Sequence, residues 1–241
     1  MDLTDTRTTR PDSHVRTIRS FARRGTRLNA AQQRAWEVHA GRFVLSAAAQ
    51  MTDGFRITDA FSRQAPMAVE IGFGVGEALV PLATGRPAWN VVGFEVWQPG
   101  VADCLAALGD HVIDNVRLST MDATWALEHV FGPATIEELW TFFPDPWQKA
   151  RHHKRRLVNA GFAQLVASRL TADGVWRLAT DWPHYAEQMA EVLDAEPLLT
   201  GGVTHRYAER PLTRFERRGI AAGREITDLA YRRVGPAERR G

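Results

Sequence analysis

The stretch VEIGFGVGEALVPLA, residues 69–83, decides the fold. An apolar run ends at Glu70, glycines follow at positions 72, 74 and 76, and a helix-compatible run comes next. Glycine residues allow a tight turn and let a ligand approach the backbone closely. The stretch therefore predicts a strand, a ligand-binding turn formed by Gly72, Gly74 and Gly76, and a helix.

This turn departs from two common nucleotide-binding patterns. Glu77 occupies the last glycine position of G-x-G-x-x-G, and no Gly-Lys-Ser/Thr sequence follows. The sequence therefore fits neither the dinucleotide fingerprint nor the P-loop well.

Apolar segments alternate with helix-compatible stretches along the rest of the chain. The segments are residues 68–73, 91–96, 116–119, 139–143 and 175–180, with a possible further strand at 226–234. Such alternation predicts an α/β fold with a mostly parallel sheet and helices on both faces. Upstream, Asn29 is a candidate N-cap for a helical run to residue 49, and residues 52–66 form a connection.

Length and charge set the domain organisation and the class of partner. The chain has 241 residues, 44% of them hydrophobic, which suits one core, so we expect a single domain over residues 28–241. Residues 1–27 read as a flexible basic arm. Residues 1–34 hold eight arginines against three acids, residues 206–240 hold ten against five, and the pI is about 9.0. Nucleic acid is therefore the expected partner.

Two further features bear on location and redox chemistry. No apolar stretch is long enough to span a bilayer and the N-terminus has no hydrophobic signal core, so we expect a cytoplasmic protein without a membrane partner. The single cysteine, Cys104, lies in a predicted helix among apolar residues, where packing is the expected role.

The second distinctive stretch is FFPDPWQKARHHKRR, residues 142–156. Asp145 lies between two prolines, which fix their own φ and favour extended geometry in the residue before them. The segment contains five cations, including both lysines of the chain, Lys149 and Lys154. A stiffly held carboxylate beside cations suggests base chemistry next to a phosphate backbone. A simple turn with a solvated charged face is the alternative interpretation.

Three acids follow successive predicted strands, namely Glu70, Glu95 and Asp122. At the carboxyl ends of parallel strands they would form a pocket for a nucleoside that carries positive charge, such as a sulfonium cofactor. The alternative is that each acid caps or begins a helix.

Six motifs in chain order resemble bacterial tRNA (guanine-N7-)-methyltransferases: EIGFGVG, GFEVWQPGV, MDA, FFPDPWQKARHHKRR, ATDWPHYAEQM and RPLTRFERRG, over residues 70–219. Residues 15–25 resemble that family's N-terminal segment. The resemblance implies the class I methyltransferase fold, S-adenosyl-L-methionine as cofactor and the variable loop of tRNA as substrate. In this chain Arg214 stands where the family more often has lysine, and Gln148 where it often has histidine or proline.

The resemblance also implies site residues. The residues expected at the cofactor are Glu70, Gly72, Gly74, Gly76, Glu95, Asp122 and Asp145. Asp145 is also the expected catalytic residue. The residues expected to contact substrate are Lys149, Asp181, Thr213, Arg214, Phe215 and Glu216. The residues expected to face RNA are Arg151, His152, His153, Lys154, Arg155 and Arg156.

The chemistry of guanine N7 agrees with these residue types. N7 carries a lone pair and no proton, so its methylation needs placement and electrostatics rather than a general base. Asp145 or Asp181 would stabilise the positive charge that develops on the base, or would accept hydrogen bonds from its N–H groups. Capping the helix that begins at residues 182–183 is the alternative role for Asp181. Trp147 is a candidate for stacking on a base or for packing. We expect no metal site, and we expect His152 and His153 to donate hydrogen bonds to phosphate instead.

Two other functions compete with this interpretation. One is a methyltransferase for another RNA base or an amine, where the fourth strand usually ends in an Asn/Asp-Pro-Pro-Tyr/Phe motif that FPDPW does not match. The other is a non-catalytic RNA-binding module, which would require a damaged cofactor loop or a missing acid. The sequence leaves the oligomeric state open between monomer and homodimer.

Overall fold

Seven strands form one sheet in the computed structural model, which describes Ser20 and residues 25–235. The strands are β1 (Met67–Ile71), β2 (Asn90–Phe94), β3 (Val116–Ser119), β4 (Ile136–Phe142), β5 (Leu170–Thr180), β6 (Leu199–Thr204) and β7 (Thr227–Arg233). Their order is β3-β2-β1-β4-β5-β7-β6, with β1 to β5 parallel and β7 antiparallel to both neighbours. The predicted α/β class with a mostly parallel sheet is confirmed.

Eight α-helices connect and cover the strands in the described part of the chain. They are α1 (Ala30–Phe43), α2 (Ala47–Gln50), α3 (Leu79–Thr84), α4 (Gln98–Gly109), α5 (Ala123–His129), α6 (Ala160–Arg169), α7 (Pro183–Asp194) and α8 (Arg214–Ala221). Asn29 caps α1 as predicted, because its side chain accepts a hydrogen bond from the Gln32 N–H and the Gln32 side chain accepts one from the Asn29 N–H. The predicted arm lies almost entirely outside the described residues.

Two parts of the secondary structure differ from the prediction. The helical run from Asn29 is interrupted at Val44, which forms a parallel bridge to Leu118 on the edge of β3. Strand β6 was not predicted, because its sequence LTGGVT has two glycines and no alternation. Gly201 is needed there, since a side chain would collide with the backbone of Ala230 on β7.

The core consists of two apolar layers, one on each face of the sheet. One layer contains buried side chains of α1, α3 and α4 together with Ala68 and Trp140. The other contains buried side chains of α5, α6 and α7 together with Val69 and Trp176. Because the central strands are covered on both faces, they read as continuous apolar runs in the sequence.

The strand order reverses between β1 and β4, and this reversal positions the site. Chain connections leave β1 and β4 in opposite directions, so a crevice opens at their carboxyl ends. Glu70 pairs in register with Gly93 on β2 and with Trp140 on β4. The glycine loop after β1 and the Asp145 loop after β4 therefore face each other across this crevice.

Candidate active site

A cleft of about 940 Å³, partly open to solvent, lies at the carboxyl ends of the parallel strands. Residues that follow β1, β2, β3 and β4 line it, as does Phe215 of α8. Five of the predicted site residues after these strands are among them, namely Gly72, Gly74, Glu95, Asp122 and Asp145. The structure thus brings together strand-end residues that are 73 positions apart in the chain, from 72 to 145, and adds Phe215 from α8.

The glycine loop divides its residues between the cleft and the core. Gly72, Gly74 and Gly76 have φ values of 79°, 60° and 84°, in the region that favours glycine. Gly72 and Gly74 line the cleft. Gly76 does not: a Cβ at this position would lie 2.6 Å from the Sγ of Cys104 in α4. The third glycine, predicted to contact cofactor, lets the loop pack against α4, and Cys104 is buried there.

Glu95 fixes the shape of the glycine loop from the end of β2. Its Oε2 accepts a hydrogen bond from the Gly74 N–H at 3.0 Å, and its Oε1 accepts one from the Trp97 N–H at 2.9 Å. Both oxygens of the Glu95 carboxylate are therefore engaged by backbone N–H groups, one in the glycine loop and one after β2. Glu95 therefore organises the loop and also contributes negative charge to the cleft.

Asp122 caps a helix and also lines the cleft. Its Oδ1 accepts hydrogen bonds from the N–H groups of Thr124 at 2.8 Å and Trp125 at 3.3 Å, so it is the N-cap of α5. It also lines the cleft. The capping bonds hold the carboxylate in one orientation at the cleft wall.

Glu70 lies deeper and borders a smaller neighbouring cavity of about 300 Å³. Its side chain is buried, and this burial, followed by the charge of Glu95, raises the pKa of the carboxyl group to about 8. Glu70 Oε2 has no hydrogen-bond partner among the described residues. Buried polar atoms normally have partners, so this oxygen points to a ligand that places a polar group beside it.

The Asp145 loop is more constrained than its two prolines alone require. Phe143 and Trp147 on either side have φ values of 53° and 44°, which non-glycine residues adopt rarely and at a cost of about 1–3 kcal/mol. The Phe143 N–H donates a hydrogen bond to the carbonyl of Ala179 on β5 at 2.7 Å. Because Phe143 precedes Pro144, the sequence predicts an extended residue there, and that prediction is wrong.

The basic segment after this loop forms a 3₁₀ turn, Ala150–Arg155. Lys149, Arg151 and Lys154 are exposed, while His152 and His153 are half-buried. The guanidinium of Arg155 lies over the Trp147 ring, 3.9 Å from its centroid, and the Trp147 indole N–H donates to the carbonyl of Ser20. Trp147 therefore packs at the rim with one ring face covered by a cation.

Arg156 departs from the prediction that it faces RNA. Its side chain is 1% exposed, and it donates hydrogen bonds to the carbonyl of Pro146 and to Gln188. It also lies over the Tyr185 ring. The guanidinium ties the Asp145 loop to α7 and is unavailable to a phosphate in this structure.

The segment predicted to contact substrate, residues 213–216, also divides into two groups. Arg214 and Phe215 line the smaller cavity together with Thr213, and Thr213 is also the N-cap of α8 through its bond to the Glu216 N–H. Glu216 is 1% exposed and pairs with Arg206 at 2.6 Å and Arg210 at 3.4 Å, so the structure gives it internal partners instead of a place in the cleft.

Lys149 and Asp181 line neither cavity. Asp181 pairs with Arg224 at 2.8 Å and lies against Gly219 of α8. It is not the N-cap of α7, because Trp182 holds that position and its N–H donates to Thr180 Oγ1. The alternative capping role for Asp181 is therefore wrong.

Sequence reasoning missed two structural residues near the cleft, Glu77 and Arg210. Glu77 accepts hydrogen bonds from two residues of α8. In the sequence, only its presence at the last glycine position of the fingerprint could have marked it as a residue with a structural role. Arg210 is fully buried between Glu216 and Asp228 and lies over the rings of Phe142 and Phe143. Nothing local in RPLTRFERRG distinguishes this inward arginine from its outward neighbours.

The fold and the cleft together define a class I methyltransferase. The "Putative methyltransferase" family model matches residues 64–229. A solved structure described as an antibiotic related methyltransferase aligns with a TM-score of 0.51 at 13% identity, covering 79% of this chain and 100% of that one, which supports the fold alone.

Two relatives narrow the class further. The chain is 56% identical over 92% of its length to a tRNA (guanine-N(7)-)-methyltransferase of Nocardioides sp., covering 90% of that protein. It is 47% identical over 91% of its length to the protein of the same name from Cutibacterium acnes, covering 84% of it. The chain belongs to the family of tRNA (guanine-N(7)-)-methyltransferases.

Within residues 25–235 and Ser20, no helix is long and apolar enough to cross a membrane. Over that same range, no group of three or more His, Cys, Asp or Glu side chains is arranged to hold a metal ion.

Proposed function

We propose that this protein transfers a methyl group from S-adenosyl-L-methionine to N7 of a guanosine in tRNA and so forms 7-methylguanosine. The observation that carries the proposal is the position of Asp145, which lines the same cleft as Glu95 and the glycine loop. The names of the two relatives support the substrate. By resemblance, the guanosine lies in the variable loop.

The residues present suit this cofactor. Gly72 and Gly74 have no side chains to obstruct a ligand at the loop, and Glu95 and Asp122 add carboxylates to the cleft wall. Glu70 Oε2 is a buried acceptor without a partner among the described residues. These groups would hold a nucleoside with a positively charged side chain, since carboxylates favour a nearby cation. When bound, S-adenosyl-L-methionine supplies an electrophilic methyl group on a sulfonium centre.

Asp145 would position the guanine and stabilise charge. Guanine N7 needs no deprotonation, so the protein contributes by placing the base and by favouring the positive charge that develops on it. The two prolines restrict the backbone around Asp145, and so do Phe143 and Trp147, whose backbone φ angles are positive. A carboxylate held in this way loses little freedom on binding the base.

The exposed cations of the 3₁₀ turn would bind the phosphate backbone. Lys149, Arg151 and Lys154 extend into solvent beside the Asp145 loop. Arg155 is held over Trp147. These cations would neutralise successive phosphates and so hold the RNA beside the cleft. We extend this role to His152 and His153 but not to Arg156, which is buried.

The test is incubation with S-adenosyl-L-methionine and a tRNA transcript lacking modifications, followed by nuclease digestion and mass spectrometry of the nucleosides. We expect 7-methylguanosine, and about 100-fold less or lower with Asp145→Asn, because the amide cannot stabilise developing positive charge equally. Glu191→Gln, an exposed change on α7, is the matched control. A different methylated nucleoside would identify another acceptor, and the absence of any product would contradict the proposal.

A further inference from the structure

Glu77 joins the glycine loop to the first turn of α8. It directly follows Gly76, the last glycine of the loop. Its Oε2 accepts a hydrogen bond from the Arg214 N–H at 2.7 Å, and its Oε1 accepts one from the Arg217 guanidinium at 2.8 Å. One carboxylate thereby connects Glu77 to Arg214, 137 positions away, and to Arg217, 140 positions away.

The bond to Arg214 is well placed to hold α8. The first N–H groups of a helix have no partner within the helix, and its N-terminus favours negative charge. Thr213 satisfies the Glu216 N–H, and Glu77 satisfies the Arg214 N–H two residues earlier. The start of α8 therefore depends on a carboxylate from the cofactor side of the cleft.

Both ends of this connection reach the site. On one side, the loop that precedes Glu77 contributes Gly72 and Gly74 to the cleft, and Glu95 holds the Gly74 N–H. On the other side, Arg214 borders the smaller cavity and Phe215 borders both cavities. The two sides lie close together, because a Cβ at Gly74 would lie 3.7 Å from the Arg214 side chain.

The Arg214 side chain carries a sign of a ligand. Its Nε is buried and has no hydrogen-bond partner among the described residues. The residue that Glu77 positions through its backbone therefore borders the smaller cavity and has a buried donor that no described residue satisfies.

We propose that Glu77 is a positioning residue that couples the cofactor loop to the substrate-contacting turn of α8, so that cofactor and tRNA strengthen each other's binding. The inference rests on the proposed function. A ligand that orders the glycine loop fixes Glu77, and Glu77 in turn fixes Arg214 and Phe215. By thermodynamic linkage, tRNA then tightens cofactor binding by the same factor as the cofactor tightens tRNA binding.

The experiment measures the dissociation constant of S-adenosylhomocysteine by titration calorimetry, with and without a saturating unmodified tRNA transcript. For the wild-type protein we expect tRNA to tighten binding by about 5-fold or more. Glu77→Ala removes both hydrogen bonds, and we expect the factor to fall to near 1. Loss of folded protein lowers the number of sites but leaves the factor unchanged, so the factor separates positioning from stability.

Three further variants complete the design. Glu77→Gln keeps an oxygen that accepts from the Arg214 N–H, so it should retain most of the coupling even if Glu77→Ala fails to fold. Arg217→Gln removes the exposed ion pair to Glu77 and the hydrogen bond to the Leu212 carbonyl, but it leaves the bond between Glu77 and the Arg214 N–H in place, so it should retain nearly all of the coupling. Glu191→Ala is the matched control for loss of an exposed carboxylate and should behave as the wild type.

Two results would overturn the inference. One is a wild-type protein that forms 7-methylguanosine but shows no coupling between the two ligands. The other is undiminished coupling in folded Glu77→Ala. Failure of the wild-type protein to methylate tRNA at all would instead count against the proposed function, so the two failures are distinct.

Discussion

Two regions border the cleft and use their charged residues differently. In the strand-end loops, Glu95, Asp122 and Asp145 line the cleft itself. In the segment that runs from Arg206 into α8, Glu216 forms ion pairs with Arg206 and Arg210, and Arg210 also pairs with Asp228. The first region presents charge to the cleft, and the second uses charge to build the frame around it. A charged residue in a distinctive motif can therefore serve either purpose.

The buried network around Arg210 should give the largest effect on stability. Arg210 is fully buried between Glu216 and Asp228, and burial raises the pKa of the Asp228 carboxyl group. Removing one partner of a buried pair leaves uncompensated charge and typically costs about 3–5 kcal/mol. We expect Arg210→Met to lower the free energy of urea unfolding by that amount.

The matched control for this change is Arg218→Met on the exposed face of α8, which should alter the free energy of unfolding by less than about 0.5 kcal/mol. Equal effects of the two substitutions would remove the distinction between frame and surface in this segment.

Glu70 should make stability depend on pH. Its pKa is raised from 4.5 to about 8 in the folded protein, chiefly by burial, so the folded state favours the protonated carboxyl. Below pH 4.5 the carboxyl is protonated in both the folded and the unfolded state, so it does not lower the free energy of unfolding. As the pH rises toward 8, the unfolded chain ionises first and the free energy of unfolding falls.

Glu70→Gln removes this dependence, so the variant should match the wild type near pH 4.5 and exceed it by a few kcal/mol near pH 8. Urea denaturation at a series of pH values measures the difference. A constant difference across that range would show that Glu70 ionises normally in the folded protein.

Substitution of Glu95 should lower the affinity for the cofactor more than it lowers the stability of the fold. In Glu95→Gln one oxygen becomes an amide donor that faces an N–H group of Gly74 or Trp97, so the glycine loop loses a hydrogen bond. Charge-assisted hydrogen bonds contribute about 1.5–3 kcal/mol, so the affinity for S-adenosylhomocysteine should fall about 10-fold or more. Titration calorimetry measures this, and tRNA affinity measured alone should change little.

Two adjacent arginines offer the finest comparison. Arg155 lies at the rim over Trp147, whereas Arg156 is buried against α7. If Arg155 neutralises one phosphate, Arg155→Gln should reduce the slope of log affinity against log salt by about 1. Arg156→Gln should leave that slope unchanged and lower stability instead. Filter binding to tRNA at several salt concentrations distinguishes them, and a reduced slope for Arg156→Gln would place its side chain at the RNA.

The sequence by itself determined the order of the parallel strands and the position of the cleft. The glycine turn, the apolar segments and the acids after them are local features, and parallel strands bring their carboxyl ends to one edge. Glu70, Glu95, Asp122 and Asp145 could therefore be assigned to one region without coordinates. The resemblance of six motifs supplied the family, which the relatives confirmed.

Only the tertiary structure decided which charges face inward. Arg156 is buried because Gln188 and Tyr185 of α7 lie beside it, and Glu216 is buried because Arg206 and Arg210 surround it. A local motif specifies backbone conformation, whereas the solvation of a side chain depends on what distant segments place next to it. The same reason hid β6, whose pairing with β7 rests on the close approach that Gly201 allows. It also hid Glu77, whose partners lie about 140 residues away.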